Sequence, residues 1–464
     1  MPSRSSVTRR QFVKSTAALA VAAATIISAR ALGNENTPSP SNRLTLGFIG
    51  IGKQASGHLN ALSGKPDTQV LAVCDVHSGR RERARTETEA KYKKLERPSN
   101  GIQEYKNYQE LLARKDIDAV VIGVPDHWHV SIALNAAKAG KDIYCEKPLT
   151  LTIHEAKTII DGIRKYDRVF QTGSQQRSEG PFHQACEFIR NGRIGKVKEV
   201  WIGIGTTSKP CDLPTEETPD GIDFDQWLGQ APERGYNDVL CRRESNPGNY
   251  PFNPGWRDYR EYSGGYVTDW GAHHYDITQW ALDMDHSGPV EVIPPGPGVK
   301  QGFGAQVIYR GSPVGDDIVV THKPVVWEGE VADPKTGKKT QKKEDNGLLF
   351  IGEKGRIFVN RGMIVSEPDD ILKQPIQENE IHLFDTPHHD HRQNWMDCIK
   401  TRQKPICDVE IGARSVTVCH LVNLAYWHNR KLNWNPQTWE FPGDAEANAW
   451  RDRPRREKYQ LPEV

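Results

Sequence analysis

The chain has 464 residues, long for a single domain, so two domains are the starting expectation. Apolar residues make up 36% and glycines number 40, which is ordinary for a soluble protein that builds real cores. A formal net charge of +1 supplies no global field to draw nucleic acid or an anionic membrane, so neither is expected as a partner. Of the 12 tryptophans, 11 lie at or beyond Trp201, so the second half is expected to be built differently from the first.

In chain order, the first element is Thr8-Arg9-Arg10-Gln11-Phe12-Val13-Lys14, followed by a small-residue apolar run from Ser15 to Ala29 and by Ala29-Arg30-Ala31. A charged n-region, a short h-region and an A-x-A-like cut read as a signal peptide over residues 1–31. The paired arginines resemble the twin-arginine signal, which implies the twin-arginine export machinery as a partner and the periplasm as the destination. The apolar run is short for a membrane span, and an uncleaved anchor stands as the alternative. Residues 32–42 are a Pro/Ser/Asn-rich linker.

From Leu44 the pattern alternates strand and helix. Leu44–Gly50, Val70–Cys74, Ala119–Val124, Asp142–Cys145 and Val169–Thr172 read as strands. Helices are expected from about Lys53, then at Gly79–Leu95, Val130–Ala139 and His154–Tyr166. Alternating βα units over residues 43–172 imply a parallel, doubly wound sheet. After Gly173 the pattern changes, and residues 173–464 read as an α+β domain with a largely antiparallel sheet. Its expected elements are helices at Phe182–Asn191, Asp269–Leu282, Arg392–Ile399 and Ile411–His428, and strands at Val197–Gly205 and between Phe303 and Val365. Pro334-Lys335-Thr336-Gly337 reads as a solvated hairpin tip, and the basic stretch Arg451–Lys458 as a surface arm. The eight cysteines show no C-x-x-C spacing; Cys211 and Cys241 lie in loop-like sequence and are open to pairing.

Gly50-Ile51-Gly52-Lys53-Gln54-Ala55 fits G-x-G-x-x-[GA] between a strand and a helix, the dinucleotide fingerprint. Asp75 closes the second strand 20 residues after Ala55, where a carboxylate accepts from ribose hydroxyls and repels a 2′-phosphate. NAD is therefore the expected cofactor, with NADP kept open by Arg80 and Arg81. Pro125-Asp126-His127-Trp128-His129 and Gly173-Ser174-Gln175-Gln176-Arg177 end later strands at the same edge. Pro125, His127 and Gln175 are expected near the cofactor, while His129 is open to capping the next helix.

Two motifs carry the chemistry. Tyr144-Cys145-Glu146-Lys147-Pro148 ends a buried strand on a lysine, a cation placed to polarise an alcohol that gives up hydride. In Asp269-Trp270-Gly271-Ala272-His273-His274-Tyr275-Asp276, helical spacing sets Asp269 and Asp276 on either side of His273, a general base with raised basicity. His274 falls on another helix face and reads as a core residue. His388-His389-Asp390-His391 is open to metal binding, but adjacent histidines cannot all reach one ion from a regular element. The preferred reading has Asp390 capping a helix and His391 facing the cleft. Trp256, Arg257 and Arg177 are candidate sugar contacts by stacking and hydrogen bonding.

On these residues the chain resembles the Gfo/Idh/MocA family of sugar and polyol oxidoreductases. The resemblance rests on Gly50–Ala55, Pro125–His129, Glu146-Lys147-Pro148 and Asp269-x-x-x-His273-x-x-Asp276, and covers essentially everything after the linker. It implies an N-terminal Rossmann domain, a C-terminal domain with an open sheet often used for homo-oligomerisation, and catalysis by Lys147, Asp269 and His273. It also implies Gly50, Ile51, Gly52, Lys53, Gln54, Asp75, Pro125, His127, Glu146, Lys147 and Gln175 around the cofactor. Lys147, Arg177, Trp256, Arg257, His273 and His391 are expected around a carbohydrate or cyclitol. The expected activity is NAD-dependent oxidation of a ring carbinol. A redox-neutral enzyme that keeps its NAD through turnover, or a non-catalytic sugar-binding protein, are the alternatives.

Overall fold

The computed structural model describes residues 42–249, 255–299, 302–332, 339–344, 346–384, 386 and 389–464. The expected signal peptide, the linker before Asn42, the hairpin tip at 334–337 and His388 lie outside the described residues.

Six strands build the first sheet: β1 (Leu44–Ile49), β2 (Thr68–Cys74), β3 (Gln103–Tyr105), β4 (Ala119–Ile122), β5 (Asp142–Cys145) and β6 (Phe170–Thr172). Their order is β3-β2-β1-β4-β5-β6 and every pairing is parallel. The helices between them are α1 (Lys53–Gly64), α2 (Ser78–Lys94), α3 (Tyr108–Leu112), α4 (His129–Lys138) and α5 (Ile153–Lys165). Such strands are apolar along their length because helices cover both faces, and all four residues of β4 are buried. The short polar β3, which sequence periodicity does not reveal, extends the edge beside Ala72–Cys74. Strand order reverses between β1 and β4, which opens a crevice at the carboxyl ends of the strands, where doubly wound sheets bind ligands.

The second sheet has eight strands: β7 (Val197–Gly203), β8 (Glu291–Ile293), β9 (Gln306–Tyr309), β10 (Ile318–His322), β13 (Gly347–Gly352), β14 (Arg356–Asn360), β15 (Met363–Glu367) and β16 (Leu432–Asn433). A separate two-stranded ribbon pairs β11 (Trp327–Ala332) with β12 (Lys339–Glu344). The eight-stranded order is β15-β14-β13-β7-β10-β9-β8-β16; β7 and β10 run parallel and every other pair is antiparallel. Helices α6 (Gly180–Arg190), α9 (Gly271–Ala281) and α11 (Val409–His428) share one apolar core with this sheet. The remaining helices are α7 (Phe224–Leu228), α8 (Tyr266–Asp269), α10 (His391–Thr401) and α12 (Ala445–Ala449).

The carboxyl-terminal segments return to the first sheet. On α10, Trp395 and Met396 pack with Leu46, Phe48, Val70 and Tyr144. The Thr172 N–H donates to the Cys407 carbonyl at 2.9 Å, and Gly412 on α11 faces Thr172 so closely that a Cβ would lie 2.2 Å from its Oγ1. The stretch expected to be a surface arm is instead a partly buried strap. Arg455, hardly exposed, donates to Glu155 Oε1 at 2.9 Å on α5, and Tyr459 sets its ring edge-on to Trp128 with centroids 5.6 Å apart. Carboxylate partners that sequence spacing does not reveal compensate the burial of these arginines.

Several histidines are buried in this framework. Burial holds the rings of His127, His274 and His420 down to about 3 and those of His322 and His391 to about 4, against an ordinary 6.5. The folded chain keeps them neutral, whereas the unfolded chain protonates them once pH drops below 6.5. Their contribution is therefore complete above pH 6.5 and is lost as pH falls towards 4 and 3. Each costs up to about 1.4 kcal/mol per pH unit within that window. Asp126, pushed up to about 7 by burial, acts in the opposite sense, as do the raised carboxyls of Glu179, Asp258 and Asp276, while His77, His129 and His273 are held down like the other five rings. Thermal unfolding should shift to lower temperature between pH 7 and pH 5; a midpoint that stays level or rises would contradict this assignment.

Candidate active site

The crevice at the switch point encloses about 480 Å³ between the two domains. Its floor is the turn from β1 to α1. Gly50 holds φ +81°, and a Cβ there would lie 2.7 Å from Val124 Cγ1 and 2.8 Å from the Gly123 carbonyl oxygen, so only glycine makes the turn. Gly52 opens onto empty space, and no side chain caps the first turn of α1. A bare helix N-terminus behind a side-chain-free approach is a cradle for a pyrophosphate. Lys53, Gln54, Pro125 and Gln175 also line the cleft. The Ile51 side chain is buried, and its N–H donates to Asp75 Oδ2 at 2.7 Å. Asp75 Oδ1 accepts from the His77 N–H at 2.9 Å, so this carboxylate braces the glycine turn while facing the cleft.

Glu146 and Lys147 leave the end of β5 towards opposite partners. Burial pushes the Glu146 carboxyl up, but His58, whose Nε2 lies 2.6 Å from Oε1, and Gln54 at 3.3 Å outweigh it and hold it below its usual value. The His129 ring lies between the carbonyls of Val124 (3.0 Å) and Pro148 (2.7 Å), tying the ends of β4 and β5 together. Lys147 Nζ donates to Asp269 Oδ1 at 2.8 Å and to the Asp269 carbonyl at 3.0 Å. Arg257 Nε meets the same Oδ1 at 3.0 Å, and its guanidinium stacks 4.8 Å over the Trp256 ring. Burial pushes Asp269 up, but the two cations prevail and hold it at about 2, so it stays ionised. Trp256, Arg257, Asp269, His273 and Lys147 meet at one end of the cleft.

His273 reaches the cleft without the two carboxylates expected beside it. The helix breaks at Trp270 between α8 and α9, which leaves Asp269 on Lys147 and Arg257. Asp276 faces the core, accepting from Arg177 Nε at 2.7 Å and Ser415 Oγ at 2.6 Å. Basicity is accordingly not raised: burial, then Lys147 and Arg361, hold His273 well below the usual histidine range. Its Nδ1 is buried with no hydrogen-bond partner among the described residues. His274 lies in the core, its Nδ1 3.1 Å from the Gly203 carbonyl.

Besides Ile51, three expected site residues do not line the cleft. Arg177 is buried between Asp276 and Asp285, donating to Asp285 at 2.6 and 2.9 Å, and so is locked away from a sugar. The 3₁₀ turn Asp126–Trp128 puts Asp126 and Trp128 on the cleft and rotates His127 inward, where its Nε2 donates to the Trp227 carbonyl at 3.0 Å. His391 opens α10 beneath the cleft, bonded to Ser178 Oγ at 2.7 Å and to the Thr172 carbonyl at 2.8 Å. Asp390 caps that helix, accepting from the N–H groups of Arg392 and Gln393. Among the described residues no group of three or more His, Cys, Asp or Glu is placed to hold a metal.

Several lining residues had no signal in the sequence reading. Asp126 accepts from Ser263 Oγ at 2.7 Å, Trp270 and Arg361 sit near His273, and Glu179 lies within reach of the Arg361 charge. The segment before α8 folds over the far end of the cleft with its own core of Phe224, Trp227, Tyr236 and Tyr262, bringing Trp227, Leu240 and Arg242 to the lining. Cys211 and Cys241, in that segment, are both free thiols.

Known proteins agree with this architecture. Residues 44–174 match the model for the oxidoreductase family with an NAD-binding Rossmann fold, and residues 196–310 and 337–461 match that family's C-terminal alpha/beta domain. Inositol 2-dehydrogenase of Salmonella typhimurium is 29% identical over 181 residues, 39% of this chain and 50% of that protein. An alpha-N-acetylgalactosaminidase of Shewanella oneidensis is 31% identical over 167 residues, 33% of this chain and 36% of that protein. The chain thus spans half or less of the length of these curated relatives. The fold is shared with the aldose-aldose oxidoreductase of Caulobacter crescentus, at TM-score 0.54 and 16% identity, over 84% of this chain and 99% of that one. With both domain models matched, the chain belongs to the Gfo/Idh/MocA oxidoreductase family, and its Rossmann domain is one that binds a nicotinamide dinucleotide.

Proposed function

We propose that the protein is an NAD-dependent oxidoreductase acting on a ring carbinol of a sugar, sugar derivative or cyclitol. The observation that carries this reading is the Lys147–Asp269 contact at 2.8 Å, set in the same cleft as the glycine cradle and beside His273. A nicotinamide dinucleotide held at the glycine cradle would supply a hydride acceptor for the carbinol hydrogen. An ammonium has three N–H donors; Lys147 aims two at Asp269, which leaves the third for the substrate oxygen. That donor stabilises the charge growing on the oxygen as the carbonyl forms. The neutral His273 ring receives the hydroxyl proton, directly or through Lys147. Asp269 fixes the direction of Lys147, and Trp256 and Arg257 form a wall suited to stacking and hydrogen bonding to a sugar. Asp75 at the adenosine end favours NAD over NADP, although Arg80 and Arg242 share that end. Twin-arginine export to the periplasm and homo-oligomer formation belong to the same proposal and rest on the sequence reading.

A second reading keeps this site and retains the dinucleotide through turnover, with a redox-neutral net reaction such as glycoside cleavage, epimerisation or sugar–sugar oxidoreduction. The cover over the adenosine end supports it. Gly221 and Asp223 exchange backbone hydrogen bonds with Ser78 and Val76, and His77, Arg80 and Arg83 donate to the carbonyls of Arg243, Arg242 and Ser245. The carboxyl-terminal strap buttresses the cover: Arg456 Nε donates to the Gly229 carbonyl at 2.7 Å, and Tyr459 Oη to Asp225 at 2.9 Å.

Lys147→Ala should lower turnover by at least about a thousandfold while NAD affinity stays within a few-fold, read by NAD titration beside steady-state rates. Full activity in that variant would remove the mechanism. For the retained-cofactor reading, the double variant Arg456→Ala, Tyr459→Ala should release bound NAD at least tenfold faster in a dilution chase. An unchanged release rate would remove the strap from cofactor retention.

A further inference from the structure

The substrate end of the cleft carries one cation more than its reacting groups use. Lys147 and Arg257 both engage Asp269. Arg361 adds a third positive charge, reaching in from the second domain at the turn between β14 and β15. Its backbone is pinned there: the N–H donates to Asn360 Oδ1 at 2.8 Å, and Asn360 Nδ2 donates to the Asn346 carbonyl at 3.0 Å. The guanidinium lies over the Trp270 ring, 4.8 Å from its centroid, and makes no ion pair among the described residues. A cation–π contact orients the planar group without neutralising it.

The carboxyls around the reacting end are shared unevenly. Asp269 takes both Lys147 and Arg257, Glu146 is paired with His58, and Asp126 accepts from Ser263, so the carboxyl that Arg361 acts on is Glu179. Glu179 is a poor counter-ion, because burial pushes its carboxyl up against the pull of Arg361. His273 is neutral. A single anionic group on the substrate would supply the ion pair that Arg361 lacks, which a neutral sugar would not. Arginine also presents a rigid fork that fits a carboxylate with two parallel hydrogen bonds.

We propose that the substrate is a sugar acid, its ring carboxylate held by Arg361 while the reacting carbinol sits at Lys147. Arg361 is then the specificity-determining residue. The proposal rests on the dehydrogenase reading above and names its substrate class.

The test measures binding and turnover separately on the NAD-loaded protein. Tryptophan fluorescence, with Trp256 and Trp270 at the site, reports binding of glucuronate against glucose, galacturonate against galactose, and the matching hexose 6-phosphates. The wild type should bind one uronate at least tenfold more tightly than its neutral partner and than its phosphate. Arg361→Gln should lose that preference, and Arg361→Lys, which keeps the charge but not the fork, should recover only part of it. Neutral or phosphorylated sugars binding as tightly as the acids, or Arg361→Gln keeping the preference, would overturn the proposal. Uronates that bind through Arg361 but never reduce NAD would leave this assignment standing and overturn the dehydrogenase reading instead.

Discussion

The carboxylate of Asp269 is the point on which the site depends. It belongs to the second domain, and the cation it holds most closely, Lys147, closes a strand of the first, so one ion pair spans the domain boundary at the cleft. Arg257 shares the same oxygen, which leaves Asp269 ionised despite its burial. Breaking such a buried pair by removing one member costs about 3–5 kcal/mol, because the other charge stays behind without compensation. The pair therefore couples the relative position of the two domains to the direction in which Lys147 points.

Electrostatics around that pair divide the histidines by task. Those away from the cleft, His127, His274 and His391, are tied to backbone carbonyls and work as neutral struts. His273 differs because it lines the cleft, and nearby cations, not carboxylates, set its character. A ring kept neutral is open to a proton but is a weak base, so the transfer relies on the Lys147 ammonium making the substrate hydroxyl more acidic. The spare cation Arg361 extends the same logic outward, from the reacting carbinol to the far side of the ring.

Much of this was legible in the sequence, and the failures share a cause. The βα alternation, the glycine fingerprint with Asp75, and the strand ending on Lys147 are local patterns, and each occupies the expected place in the fold. Asp276 is misplaced because helical spacing says which residues share a face but not which face meets the cleft, and Arg177 because the carboxylates that hold it, Asp276 and Asp285, lie about a hundred residues away in sequence. His127 failed similarly, since a 3₁₀ turn alternates its residues between cleft and core. Arg361, Glu179 and the cover over the adenosine end come from segments remote in sequence, and only tertiary packing brings them to the site. The partly buried strap reads as a basic surface arm until its partners Glu155 and Asp225 are found against it.

The most direct test of hydride chemistry at the Lys147–Asp269 pair is a single-turnover measurement of nicotinamide absorbance on the NAD-loaded protein. The carbohydrate would be supplied with either hydrogen or deuterium on the reacting carbinol carbon. Bound NAD should be reduced, and deuterium should slow the step. A bound sugar that never changes the nicotinamide absorbance, with wild-type protein and saturating ligand, would contradict hydride chemistry at this pair.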